Sequence, residues 1–353
     1  MQHRAHVAYV DGLRAVAVLS VLAFFAVGEA AQASTNVALL AHGVDLFFVI
    51  SGFCLALPAL ARWRAGRGFR LDRAIFTRFM LRRFSRIALP FYLALAFFAV
   101  LGMTGFGFPG LQNPEPGLAF SPQAGREFLG DLAFLTPRVP IHNVAFWTLG
   151  IEARWYLVCP LLIALYVRSR WAFAAAAVAL YSVYFLGPEK ITDVGTLPCF
   201  MLGIVAADSI VLRSPWKRYA WIGAALAIGT GLLLGGVDRG DFGNPVWHAA
   251  AFFVVVACSR PLFRRFLTWP PMLGVGVASY SIYLYDAPFV QWFEAHGVVA
   301  PLAAAWALCI GFAAWAIVER HLSSDGFRRG LEQRLSSLLG GRARQERAHA
   351  EPA

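Results

Sequence analysis

The chain has 353 residues, 59% of them hydrophobic and only 14% charged, against roughly 25% charged in an ordinary soluble domain. With a mean hydropathy of +0.60, this excludes a single soluble core and predicts about ten helical membrane spans of about 20 residues each. A net charge of +11 would suggest a nucleic-acid partner in a soluble protein, but the placement of the basic residues along the chain excludes that reading too.

Apolar runs predict helices over 12–31, 38–61, 88–107, 146–167, 171–187, 196–212, 219–236, 246–260, 271–293 and 298–318. Such continuous runs, unlike short alternating segments, exclude a transmembrane β-barrel. Arg126, Arg138, Lys190 and Arg239 fall at one set of alternate ends and Arg154 within a span; the rest of the 31 Lys and Arg fall at the other set. By the positive-inside rule, the N and C termini are both expected to be cytoplasmic. The expectation is an all-α, polytopic, multi-pass protein of the cell membrane, a bacterial inner or plasma membrane, with lipid around it and no nucleic acid. A cleaved leader over 1–33 is the competing reading of the first run, since Arg4 and Arg14 precede apolar residues that end in small ones.

Two units are expected, a membrane domain over 1–322 and a polar, partly disordered cytoplasmic tail over 323–353. Between the second and third spans, Ile75, Phe79 and Phe84 alternate with Arg73, Arg78, Arg82 and Arg83, which predicts an amphipathic helix from Leu71 lying on the cytoplasmic surface. Residues 108–145 form the only long outer stretch, broken at its start by Pro109, Gly110, Pro114, Pro116 and Gly117.

Ionisable groups within apolar runs are costly unless paired or wet, so each is a candidate site residue. Asp11 and Arg14 open the first span three residues apart, suited to an ion pair or a simple helix-start anchor. Phe25 shares Arg14's face about 16 Å deeper, near the expected midplane, where an aromatic is ordinary packing. Asp45 enters the second span from outside with Ser51 below it, as an interfacial carboxylate or one facing a wet cavity. Glu152 enters the fourth span with Tyr156 on its face and Arg154 on another. Ser279, Tyr283 and Asp286 form a polar stripe at i, i+4 and i+7, and Glu319 reads as a plain interfacial anchor. Arginines such as Arg83 and Arg86 offer forked donors for phosphate, or serve only topology and anionic lipid. The five cysteines are scattered singly without metal-ligand spacing, so no metal is expected.

In this order the residues resemble the integral-membrane acyltransferase 3 family. Asp11-Gly12-Leu13-Arg14-Ala15 looks like its opening motif, 43–53 like its second-span signature, and Arg83-Phe84-Ser85-Arg86 like an Arg-x-x-Arg element. Trp147-Thr148-Leu149-Gly150-Ile151-Glu152, followed by Tyr156 and Pro160, is similar to a Trp-Ser-Leu-x-x-Glu segment, and 279–284 to the ninth-span motif. The resemblance implies a membrane acyltransferase with no bound cofactor. Acyl-CoA, acetyl-CoA above all, would be the cytoplasmic co-substrate and a hydroxyl of an exported carbohydrate or related molecule the acceptor.

It also implies a His eleven residues past the opening Arg as general base, where this chain has Phe25, and a second His where it has Asp286. A phenyl ring cannot take a hydroxyl proton. Asp286, Glu152 and Arg14 are therefore the catalytic candidates. Asp11, Asp45, Ser51, Arg83, Arg86, Trp147, Tyr156, Ser279 and Tyr283 are candidates for substrate binding. A catalytically silent relative that binds or transports acyl-CoA or lipid is the alternative. His42, His142, His248 and His296 are expected near the outer surface and His3, His6, His321 and His349 on the cytoplasmic side, so none is expected to replace the base.

Overall fold

The computed structural model describes residues 2–27, 39–103, 122–135, 143–188, 190–233, 242–322, 326–327 and 330. Among the described residues there are helices and turns and no strand. In chain order the helices are α1 (Gln2–Ala26), α2 (Gly43–Arg62), α3 (Arg73–Met103), α4 (Pro122–Leu132), α5 (Phe146–Arg168) and α6 (Arg170–Leu186). They continue as α7 (Thr192–Val211), α8 (Ala220–Leu233), α9 (Pro245–Ala257), α10 (Pro261–Leu267), α11 (Pro270–Ala295) and α12 (Ala300–Ala314). A 3-10 turn, Leu39–His42, leads into α2, and Trp315–Glu319 prolongs α12 as a π-type turn.

Each of the ten predicted runs carries a helix, yet fewer meet the requirement for a span. Among the described residues six stretches are long and apolar enough to cross a membrane: Ala8–Ala26, Leu39–Arg67, Ile75–Gly102, Phe146–Arg168, Thr192–Val211 and Ala300–Leu322. The pair α9 and α10 would make a seventh but is bent by 95°. α6 has only 17 residues, and α8 is described over 14, up to Leu233. α11 has 26 but carries Ser279, Ser281, Asp286, Gln291 and Glu294, which lower its hydropathy. The chain is thus a multi-pass membrane protein, with six or seven candidate spans among the described residues. The ends predicted at 31, 107 and 236, most of the outer stretch 108–145, and nearly all of the tail from 323 lie outside the described residues.

The predicted surface helix is corrected by the structure. Residues from Arg73 continue without interruption into the third span as one 31-residue helix, because nothing between Arg86 and Pro90 breaks it. Pro90 removes one backbone donor inside the helix, which neighbouring helices make tolerable in a membrane. The reversal between α2 and α3 falls instead at Gly66 and Gly68, both in the left-handed region at φ 75° and 67°. Asp72 then caps α3 by accepting a hydrogen bond from the Ile75 amide at 2.8 Å.

Glycines set the closest helix crossings. A Cβ on Gly203 of α7 would sit 2.2 Å from the Val49 carbonyl oxygen of α2, and one on Gly276 of α11 would sit 1.8 Å from that of Asp11 in α1. Only hydrogen fits there, so α2 lies directly on α7 and α1 on α11, as small-residue interfaces in membranes allow. The predicted basic ends gather at one end of the bundle. Arg64 forks onto Asp208 at 2.8 and 2.7 Å, joined by Arg170 at 3.1 Å and the Tyr166 hydroxyl at 2.8 Å, and Arg260 donates to the Arg218 carbonyl at 3.1 Å. At the opposite end Arg154 pairs with Asp193 through two bonds, 2.6 and 2.9 Å, and also donates to the Phe134 carbonyl. The intraspan arginine is thereby a structural ion pair.

Candidate active site

α1, α2, α3, α5, α11 and the end of the α12 stretch enclose a cavity of about 400 Å³, within the size range of small-molecule sites. It extends along α2 from Val44 to Leu55, eleven residues or about 16 Å of helix rise. Its lower part is charged and its upper part lined by hydroxyls and aromatic rings.

The charged part holds three arginines, Arg14, Arg83 and Arg86, and three carboxylates, Asp11, Glu152 and Glu319. Arg14 pairs with Asp11 at 2.8 Å, the i,i+3 spacing that the opening motif supplies, and also donates to the Cys54 sulfur at 3.5 Å. Continuity of α3 brings Arg83 and Arg86 into the bundle instead of leaving them on its surface, and Arg86 lies within electrostatic reach of both Arg14 and Arg83. Repulsion among the guanidiniums is offset by the carboxylates, Glu319 among them. That residue is 5% exposed and accepts a hydrogen bond from the Ser281 hydroxyl at 2.6 Å. It is a buried cavity residue, not the interfacial anchor its place near the end of an apolar run suggests.

Glu152 stands where the two parts meet. Its Oε1 accepts hydrogen bonds from the Ser51 hydroxyl and, at 2.5 Å, from the Tyr156 hydroxyl one helical turn on. Its Oε2 makes no hydrogen bond among the described residues. Above it, Thr148 and Tyr283 share a hydrogen bond at 2.7 Å, and Phe47 meets the Tyr283 ring edge-on at 5.8 Å. Tyr280 lines the wall and is fixed by its hydroxyl donating to the Ile87 carbonyl at 2.8 Å.

Of the residues singled out from sequence, Asp11, Arg14, Ser51, Arg83, Arg86, Glu152, Tyr156, Ser279 and Tyr283 line this one cavity. Four others do not. Phe25 lies in the last turn of α1, which ends at Ala26; it packs against the cluster of Leu22, Ala26, Val290 and Ala307, with the Phe24 ring at 5.5 Å. Asp286 is fully buried, and its Oδ1 accepts from the Ala287 amide at 2.7 Å. Trp147 packs on Phe242 at 4.9 Å. Asp45 turns away from the cavity, towards His42 at 2.6 Å.

Sequence reasoning missed Glu319, Tyr280 and Thr148. An acid ending a long apolar run is a signal for Glu319, but the π-type turn that aims it inward has no sequence signature. Thr148 stands where the resembling motif has Ser and keeps its hydroxyl.

A family described as an acyltransferase domain matches residues 7–320. Among curated proteins, a Bacillus subtilis protein with a provisional name as a peptidoglycan O-acetyltransferase is 26% identical over 330 residues, covering 82% of this chain and 49% of its own. The peptidoglycan O-acetyltransferase OatA of Listeria monocytogenes is 25% identical over 178 residues, covering 47% of this chain and 25% of its own. The O-acetyltransferase OatA of Staphylococcus aureus is 23% identical over 326 residues, covering 82% and 51%. The chain therefore spans about half the length, or less, of these relatives. No solved structure gives a significant match.

Proposed function

Because the chain belongs to the acyltransferase-domain family, we propose that it is an O-acetyltransferase of the cell membrane that acylates a hydroxyl of a cell-envelope carbohydrate. The relatives' names support a peptidoglycan-like acceptor. Acyl-CoA is the donor in this reading, entering at the basic, cytoplasmic end, where Arg83 and Arg86 hold its phosphates by charge-assisted forks.

The observation that carries the reading is Glu152, a carboxylate between arginines on one side and hydroxyl-bearing residues on the other. Ser51 and Tyr156 hold Oε1, so Oε2 faces the reacting groups. Glu152 takes the proton of the acceptor hydroxyl as its oxygen attacks the thioester carbonyl. The new C–O bond forms, the C–S bond breaks, and the leaving thiolate recovers the proton. Arg14 offsets the charge on the carbonyl oxygen in between. Glu152 thus does the work of the imidazole that position 25 lacks, and Phe25 has no part in the chemistry.

A second reading is favoured by one fact: among the described residues no histidine lines the cavity. In that case the protein binds an acyl thioester without turnover. Purified protein supplied with acetyl-CoA and carbohydrate acceptors, beside a Phe25→His variant, separates the two. Acetyl transfer by the unmodified chain, changed no more than a few-fold by Phe25→His, is expected. Transfer by the variant alone would establish the silent reading, and inactivity of both over a broad acceptor panel would remove the enzyme reading.

A further inference from the structure

A second buried polar cluster lies between α2, α7 and α9, apart from the cavity. We propose that Asp45, Cys199 and His248 form a binding site for a divalent cation of borderline softness, zinc foremost. Their ligand atoms all lie within 4.8 Å of one another, and the three residues are 1%, 0% and 0% exposed. Carboxylate, thiolate and imidazole together form a donor set suited to zinc.

Two further observations indicate a cation rather than mere packing. First, Asp45 Oδ1 is a buried carboxylate oxygen with no hydrogen-bond partner, and it lies 3.7 Å from His248 Nε2, a separation two ligands of one metal can share. Such an oxygen is costly in an apolar bundle unless a positive charge meets it. Second, the other atom of each group is held from behind. His42 Nδ1 sits 2.6 Å from Asp45 Oδ2, and the Tyr181 hydroxyl 2.7 Å from His248 Nδ1. Outer-shell partners of this kind fix ligand orientation and tautomer in metal sites.

Without metal, His248 Nε2–H donates to the Phe242 carbonyl at 2.7 Å. Cation binding moves that proton to Nδ1, which donates to the Tyr181 oxygen, and leaves the Nε2 lone pair for the metal. The Cys199 thiol, now 3.3 Å from the Asp45 carbonyl, loses its proton to solvent. Zinc with one carboxylate and one thiolate is electroneutral, which suits a low-dielectric site. Ligands drawn from three helices leave no short spacing in the sequence. The site pins α2 against α7 and α9, and Phe47 and Ser51 of the cavity wall lie roughly 160° and 120° round the same helix from Asp45, so the metal's role is to position that wall. The proposal is independent of the acyl-transfer reading.

The test uses the full chain, purified without a histidine tag and equilibrated with zinc chloride or cobalt chloride. One zinc per chain is expected to survive gel filtration, and cobalt should give a thiolate-to-cobalt charge-transfer band. Cys199→Ser should abolish the band and Cys309→Ser leave it. Asp45→Asn, nearly isosteric and therefore informative should Cys199→Ser fail to fold, should weaken zinc binding by at least about tenfold. Substoichiometric zinc together with no cobalt band, a band that survives Cys199→Ser, or unchanged affinity in Asp45→Asn would overturn the site.

Discussion

Arg83 and Arg86 sit three residues apart on α3, yet the sequence left open whether they serve ligand, lipid or topology. Their place in the cavity wall, with Glu319 and the Arg14–Asp11 pair, favours a ligand. A charge-assisted hydrogen bond contributes about 1.5–3 kcal/mol, so Arg83→Ala and Arg86→Ala should each weaken acetyl-CoA binding by roughly tenfold or more, read by calorimetry on purified protein. Unchanged affinity would return them to a topological role. Among the nine cavity residues that sequence singled out, Asp11, Arg14 and Glu152 stood out because their chemistry is expensive in an apolar run. The same expense singled out Asp286 and Asp45, which lie outside the cavity, because cost shows that a group needs a partner but not on which helix that partner sits. Phe25 shows the reverse limit. A motif position can be located by counting, while its depth depends on where the helix stops.

Among the elements, α3 departs most from expectation. An amphipathic pattern with regular arginines fits a surface helix and the lower third of a span equally well, and only packing against α5 and α11 decides. The glycine contacts were likewise hidden, since Gly52 and Gly203 lie far apart in the chain yet face each other across α2 and α7. A methyl at position 203 must displace backbone, because it would sit 2.2 Å from Val49 O. Gly203→Ala is therefore expected to destabilise by about 1–3 kcal/mol, seen as a lower thermal midpoint in detergent. Gly274→Ala, with nothing within 4 Å of the added carbon, should change it little. Equal midpoints for the two variants would contradict the crossing.

For the molecule as a whole, composition determined the solvent and periodicity placed a helix in every expected run. Among the described residues six of those helices, or seven with the pair bent by 95°, have the length and hydropathy of a span. The sidedness expected from Arg and Lys places them at one end, where Arg64 and Arg170 both pair with Asp208. If that end is cytoplasmic, a membrane-impermeant thiol reagent applied to intact cells should label Gly297→Cys and spare Lys217→Cys, both in a Cys309→Ser background. The opposite labelling would invert the orientation and with it the donor's side.

Acyl transfer in the cavity, as proposed, depends on Glu152 as its base. The most direct measurement is the rate of acetyl transfer by Glu152→Gln beside Asp286→Asn, two near-isosteric changes of which only the first lies in the cavity. General-base catalysis contributes about 100-fold or more, so Glu152→Gln should lose at least that factor with acetyl-CoA binding retained, while Asp286→Asn stays within a few-fold of the unmodified chain. A Glu152→Gln variant that transfers at the unmodified rate, or a loss confined to Asp286→Asn, would rule out Glu152 as the base.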